Sequence, residues 1–410
     1  MHSRPRIKVL SILVGLILTA ASACASDAEL DTFAPQGAIA EELHSRAVVP
    51  VFVIAGLVLI FIGIVLFWLI KKYRVNEYED DTGWPAQTHG HTPLEWSWTA
   101  GFFFTMLVVA ALMIWATPTI NSTKANAADV VVDGVSILWE PTVVVIGNQW
   151  WWEFRYYFND QVTLESLREI GDAKNLPPAD IVTSGQMMIP ISEEIELIIT
   201  SRDVIHSFWI PALNGKRDAV PNRFSPWKIE ASERGVYFGQ CTEFCGLSHS
   251  RMQMQVVALS DEEFQDWINS TTQDAPKLVA SDTTVFRGQE VFAGTCTSCH
   301  LVEGLNDSTY ERADQASEAA PNLTHFANRS TFAGGILNTY NADGSFNRRD
   351  MERWLRTPEE VKANYTVPGE QYRGMPNLNL SEQQIDDLVE YLRILGEQPA
   401  DWIIEATQVE

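Results

Sequence analysis

The 410-residue sequence predicts a multidomain membrane protein with three parts in order: a two-helix transmembrane hairpin, an all-β sandwich and an all-α domain. Two long uncharged runs come first. Short segments rich in β-branched and aromatic residues then occupy about residues 135 to 260, and from 284 onward the apolar residues recur at helical spacing. A formal charge of -24, from 53 acidic against 29 basic residues, argues against a nucleic-acid partner and for either solubility or a basic partner.

Residues 1–23 carry Arg4, Arg6 and Lys8 ahead of the apolar run "VLSILVGLILTAASA", the layout of an export signal. Cys24 then follows as a candidate lipid-modified first residue, although Ala21 stands where such signals usually carry Leu. The hairpin, residues 40–118, rests on the runs 48–70 and 96–117, each above the roughly 20 residues that cross a bilayer core. Lys71, Lys72 and Arg74 open the connection, whereas Lys124 is the only basic residue just after the second run. The positive-inside rule therefore puts the connection in the cytoplasm and everything beyond 118 outside. Trp96, Trp98 and Trp115 sit at span ends, where indole favours the interface.

Residues 119–262 hold the strand-like segments, including "EPTVVVIGNQWWWEFRYY", "QMMIPISEEIELIITSRD" and "MQMQVVALS", which predict an antiparallel sandwich. A polar stretch within 263–283 reads as a linker. Residues 284–400 are helical in pattern, with Ser381 as N-cap of the last long helix.

The loop "CTEFCGLSHSRM", 241–252, falls between the last two strands of the sandwich and concentrates thiolate, imidazole and thioether, the donors copper prefers. In an oxidising compartment a Cys pair alone reads equally as a disulfide. The neighbours favour metal: His249 and Met252 follow, and His206 stands upstream in "SRDVIHSFWIP". A mononuclear blue site needs one Cys. Two thiolates, Cys241 and Cys245, can instead bridge two copper ions, with His206 and His249 capping one each.

This motif, preceded by "GVYFGQ" and the remote "HSF", resembles the binuclear copper A site of subunit II of haem-copper cytochrome c oxidases, over residues 40–262. The resemblance implies a cupredoxin-like sandwich in which Cys241 and Cys245 bridge the coppers and His206 and His249 supply imidazoles. It further implies a weak axial thioether from Met252, a backbone carbonyl from Glu243, and a magnesium ion shared with subunit I through the Glu243 side chain. "QWWWEF" is similar to the family's aromatic strip, making Trp150 the residue that accepts the electron from cytochrome c; the plainer reading is an apolar face. Glu95 in "PLEWSWT" matches the acid at the mouth of a proton path; the plainer reading is a solvated acid at a helix N-terminus.

The second motif, "CTSCH" at 296–300, is the covalent haem c signal: Cys296 and Cys299 form thioethers and His300 binds iron. A thioredoxin-like pair would want a βαβ context, and this region is helical. For the sixth ligand Met375, in the loop "YRGMPNLNLS", is preferred over Met351 in a charged helical run and over His325. Gly288, Phe292, Leu388, Tyr391, Leu392 and Pro321 make the region similar to a class I cytochrome c domain, with an atypical polar insert "LNDSTYERADQASEA".

Together the parts resemble oxidase subunit II fused to cytochrome c, as in caa-type bacterial enzymes. That implies partnership with subunit I and other oxidase subunits, a cytochrome c or a quinol-oxidising complex as donor, oxygen reduction in subunit I, and proton pumping. The implied location is the bacterial cytoplasmic membrane, with both cofactor domains outside. The alternative is the copper A subunit of a nitric oxide reductase. Eight His in total argue against the His-rich second cluster of nitrous oxide reductase. A copper carrier would not need the haem motif or the hairpin, and a quinol oxidase subunit lacks the copper ligands.

Overall fold

The structure is a computed structural model that describes residues 30–74, 90–121, 128–132, 135–139, 142–158, 162–278, 283–306, 320–366 and 372–408. The predicted export signal, Cys24, Lys124 and most of the polar insert lie outside the described residues.

Helix α1, Ala38–Lys72, and helix α2, Thr92–Asn121, contain the two apolar runs. α1 includes a π-helical turn at His44–Val48. Large apolar side chains such as Phe61, Phe67, Phe104 and Ile114 point away from the protein, which a water-facing helix would not tolerate over this length. At one end Arg46 ties the helices together: it donates to Thr119 Oγ1 at 3.0 Å and lies over the Trp115 ring at 5.0 Å. The segment before α1 is pinned to the sandwich, with Gln36 N donating to Ala212 O at 2.8 Å and Ala38 N donating to the Glu230 carboxylate.

Strands β1 (Ala128–Val132) and β2 (Val135–Trp139) pair with each other, as do β8 (His206–Trp209) and β9 (Lys216–Ala219), and the sandwich has a five-stranded sheet in the order β10-β7-β3-β4-β5 and a three-stranded sheet in the order β11-β12-β6. In the first, β3 is Thr142–Asn148, β4 Trp151–Tyr157, β5 Ile181–Ser184, β7 Ile195–Ser201 and β10 Ser225–Ile229. In the second, β6 is Gln186–Pro190, β11 Gly235–Gln240 and β12 Gln253–Leu259. The sheets are mixed rather than purely antiparallel: β3 pairs with β7, and β12 with β6, in parallel. Val143, Val145, Leu197 and Ile199 face the main core, while Val144, Ile146 and Ile198 face a second cluster with Leu167 of helix α3, Leu164–Ile170. Burial on both faces is why "TVVVIG" reads as a continuous apolar run instead of alternating.

The predicted linker begins too early. Residues Asp261–Thr271 form helix α4, opened by a capping box between Ser260 and Glu263. Phe264, Trp267 and Ile268 join the sandwich core, and Trp267 packs on Tyr156 with ring centroids 5.0 Å apart. The polar composition of the stretch hides this i, i+3, i+4 stripe.

In the helical domain, α5 (Thr284–Thr295) crosses α8 (Glu382–Leu392), and Ser381 caps α8 through a capping box with Gln384. The run "NRRDMERWLRTPEEVKANY" breaks into α6 (Arg348–Arg356) and α7 (Pro358–Val361), because Pro358 lacks an N–H and its ring blocks the preceding turn. At the crossing a Cβ on Gly288 would stand 2.0 Å from Asp387 O, and Phe292 packs on Tyr391 at 5.4 Å. Gly288→Ala is therefore expected to destabilise the domain by about 1–3 kcal/mol or more. Gly294→Ala on the same helix meets open space and is expected to be neutral or stabilising, and thermal unfolding of the two variants checks the contrast.

The sandwich and the helical domain share a seam. Gln186 Nε2 donates to Ser330 Oγ at 2.7 Å, Ser248 Oγ to Ala363 O at 2.6 Å, and Arg251 to Val361 O. The chain end returns to the sandwich as helix α9, Asp401–Ala406: Ile403 enters its core, and Trp402 lies under Arg234 at 4.4 Å. The haem-motif domain is therefore clamped at both ends, not trailed on a tether.

Candidate functional site

The sulfur and imidazole donors of the copper motif converge. The last two strands, β11 and β12, deliver the 241–252 loop, and β8 (His206–Trp209) brings His206 to it from the other side. Cys241 Sγ lies 3.8 Å from Cys245 Sγ and 3.9 Å from His206 Nδ1. Cys245 Sγ lies 3.5 Å from His249 Nδ1 and 3.8 Å from Met252 Sδ, while Glu243 O is 3.2 Å from Cys241 Sγ. The sulfurs are far beyond the roughly 2.05 Å of a disulfide, so the pair is a dithiol.

The electrostatics fit a metal pair. The hydrogen bond with Cys245 holds the Cys241 thiol down to about 3, and Cys241 in turn pushes the Cys245 thiol up. Two thiolates at this separation are stable only beside a cation. His206 is oriented from behind: its Nε2 is 2.8 Å from Asp203 Oδ1, leaving Nδ1 toward the thiolates. Burial works against a charged His206, but Asp203 and Cys241 outweigh it and hold its pKa above the usual imidazole value. Asp203, three residues before His206, was missed in the sequence; an acid at that spacing is the signal that could have found it.

Arg202, next to Asp203 in the chain, belongs to a buried ionic set that periodicity does not reveal. Glu153 is 2.6 Å from Arg155 and 3.1 Å from Arg202. Burial alone would raise the Glu153 pKa, yet Arg202 and Arg155 bring it to about 2. Because the folded pKa lies below the ordinary 4.5, the set's stabilisation is present above pH 4.5 and lost as pH falls toward 2. Melting temperature is expected to drop through that window. Glu153→Gln should shrink the drop and cost about 3–5 kcal/mol at neutral pH, since two buried guanidinium groups lose the carboxylate between them.

Trp150 lies in the turn between β3 and β4 and is 1% exposed. Its Nε1 donates to Cys245 O at 3.0 Å, and Gln149 Nε2 donates to the same carbonyl at 2.7 Å. Gly246, at φ +112, permits this approach, since a Cβ there would stand 2.9 Å from Gln149 Nε2 and 3.3 Å from the indole. Trp152 is not a surface residue at all but core, beside Phe208. Glu95 occupies the first turn of α2 and accepts from His91 N at 3.1 Å, the local contact expected of an acid at a helix start.

The second motif opens on an apolar cavity. Cys296, Cys299, His300, Met375 and Met351 line it, with Phe292, Leu388 and Leu392 as walls; His325 is not among them. His300 Nδ1 lies 2.7 Å from Pro321 O, and burial depresses the ring to about 4, so the imidazole is neutral with Nε2 left for a metal. Asn364 Nδ2 donates to Met375 O at 2.6 Å, fixing that loop. Arg329, buried on the cavity wall, also escaped the sequence reading: no pattern marks it. A buried guanidinium, here donating to the Asn322 carbonyl, suits the carboxylates of a haem. Gln149, Trp150 and Trp151 line the same cavity from the sandwich side.

Comparison with known proteins agrees with this geometry. The family model for the periplasmic domain of cytochrome c oxidase subunit II matches residues 141–259, and that for cytochrome c matches residues 285–396. The first domain implies copper A and the second haem c. Cytochrome c oxidase subunit 2 of Alkalihalophilus pseudofirmus is 30% identical over 376 residues, 91% of this chain and 92% of that protein. That of Bacillus sp. strain PS3 is 33% identical over 319 residues, 76% of each chain. Subunit 2 from Bacillus subtilis is 28% identical over 393 residues, 94% of this chain and 96% of that protein. With two helices fit to cross a membrane, a mixed-sheet sandwich holding paired copper-type thiols and a fused haem-motif domain, this membrane-anchored chain belongs to the cytochrome c oxidase subunit 2 family.

Proposed function

We propose that the chain receives electrons for a respiratory cytochrome c oxidase, passing them from a cytochrome c or quinol-oxidising donor through haem c and then the copper pair to subunit I. Oxygen reduction and the coupled proton pumping belong to subunit I. Both cofactor domains lie on the extracytoplasmic side, as the Lys71, Lys72 and Arg74 cluster supports. Cys296 and Cys299 would hold the haem covalently, His300 and Met375 would ligate its iron, and Arg329 would pair with its carboxylates. Cys241 and Cys245 would hold the copper pair through their thiolates, with imidazoles from His206 and His249, a thioether from Met252 and the Glu243 carbonyl. The Glu243 side chain would share a magnesium ion with subunit I. When bound, the haem iron and the copper pair each accept and release one electron.

One observation carries the reading: Trp150 lines the haem cavity while its Nε1 donates to the carbonyl of Cys245. Its indole thus joins the two sites. Since that face is buried, the electron reaching Trp150 comes from the chain's own haem rather than from a separate cytochrome. Phe244, 77% exposed, with Leu247, Val204 and Ile205, leaves an apolar face beside the copper loop that suits docking on subunit I. Glu95 is assigned to a proton path mouth; unchanged proton uptake in Glu95→Gln would remove that role.

The test is optical and electron paramagnetic resonance spectroscopy of the purified complex with gas consumption. A haem c band, a mixed-valence two-copper signal and oxygen uptake are expected. Both signals with nitric oxide consumption instead would move the chain to the reductase reading.

A further inference from the structure

We propose that Lys362 is a positioning residue for haem-to-copper electron transfer, its buried side chain clamping the haem domain onto the peptide of Trp150. Lys362 follows α7 at the seam and is buried. Its Nζ donates to Trp150 O in the sandwich and, at 3.0 Å, to Ala333 O in its own domain. One ammonium thus ties two domains at the residue that touches both sites.

The surrounding segment, 361–365, is organised the same way. Ala363 O accepts from Ser248 Oγ, Val361 O accepts from Arg251, and Tyr365 Oη accepts from Gln149 Nε2 at 3.2 Å. The Tyr365 ring meets Trp150 edge-on at 5.5 Å. Asn364, between them, holds the Met375 carbonyl at 2.6 Å. A stretch of five residues therefore grips the copper loop with one set of bonds and the haem-ligand loop with another.

A cation is a costly choice here. Burial drives the ammonium down to about 7, with Cys245 opposing the fall and Arg251 adding to it. A methionine of similar length would fill the space without that desolvation. What the lysine adds is direction: donors to carbonyls on both sides fix the separation of haem cavity and indole, and electron transfer falls steeply with separation.

This inference rests on the haem-to-copper path proposed above. It is tested in the full-length chain within the complex, by deuterium uptake over 245–251 and 361–365 and by the haem-to-copper rate after rapid haem reduction. Lys362→Met is expected to raise uptake in both segments and slow transfer by roughly tenfold or more, with haem and copper spectra unchanged. Lys362→Arg keeps the donors and should recover most of the rate. Unchanged uptake and rate in Lys362→Met would overturn the clamp. If that variant does not assemble, amine acylation of the unaltered protein decides: Lys362 should be protected where exposed Lys216 reacts, and equal labelling overturns the proposal. No haem-to-copper transfer in the unaltered protein would instead count against the path itself, and uptake at the seam would still judge the clamp.

Discussion

Cys245→Ser is expected to abolish the two-copper signal and stop transfer beyond haem c, while the haem c band persists. Cys245 Sγ is the hub of the cluster, within 3.8 Å of Cys241 Sγ, His249 Nδ1 and Met252 Sδ at once. A serine hydroxyl is a hard donor that stays protonated at neutral pH, so it replaces neither the softness nor the charge of the bridge. Oxygen uptake should fall by more than the roughly 10–100-fold in metal affinity or activity that loss of an outer partner costs. Asp203→Asn supplies that comparison: it keeps the donors but loosens His206, and copper titration should show a weaker site that still forms the pair. Retention of a two-copper signal in Cys245→Ser would refute the bridging role.

The second large effect is expected on removing both thiols of the haem motif. In Cys296→Ala with Cys299→Ala, haem is no longer covalently held, and denaturing electrophoresis should show a chain without haem stain. The cavity walls Phe292, Leu388 and Leu392 then enclose space that the group would fill, so the helical domain loses stability as other emptied cores do. Because Trp150 and Trp151 line the same cavity, the seam should loosen as well. The copper signal should survive, since its ligands all come from the sandwich. Turnover with a cytochrome donor should be lost; full turnover would show that electrons can bypass this domain.

The parts that were legible in the sequence are those written in local chemistry. Uncharged runs of bilayer length, ligand spacing in the copper loop, Cys-x-x-Cys-His, and the Gly288 and Phe292 helix crossing each depend on residues close together or on one apolar stripe. Long-range pairings were not legible. The parallel contact of β3 with β7 is set by which faces are buried, and "TVVVIG" carries no register information because both faces are apolar. Helix α4 was hidden by its acidic surface, although Phe264, Trp267 and Ile268 hold the spacing. Trp150 illustrates the boundary most clearly. Its position in "QWWWEF" pointed to electron traffic, but only the seam shows that the chain's own haem domain covers it. Lys362, Arg329 and Glu153 gave no signal, since a buried charge looks like any solvated one until its partners are known.

The series order of the two centres is the central claim, and rapid mixing of the oxidised complex with a cytochrome donor tests it most directly. Haem c should be reduced first, at a rate set by donor concentration. The copper pair should follow at a rate independent of that concentration, because the second step runs inside one chain. Copper reduced ahead of haem c, at a rate that climbs with donor concentration, would contradict the account: the haem domain would then lie off the path.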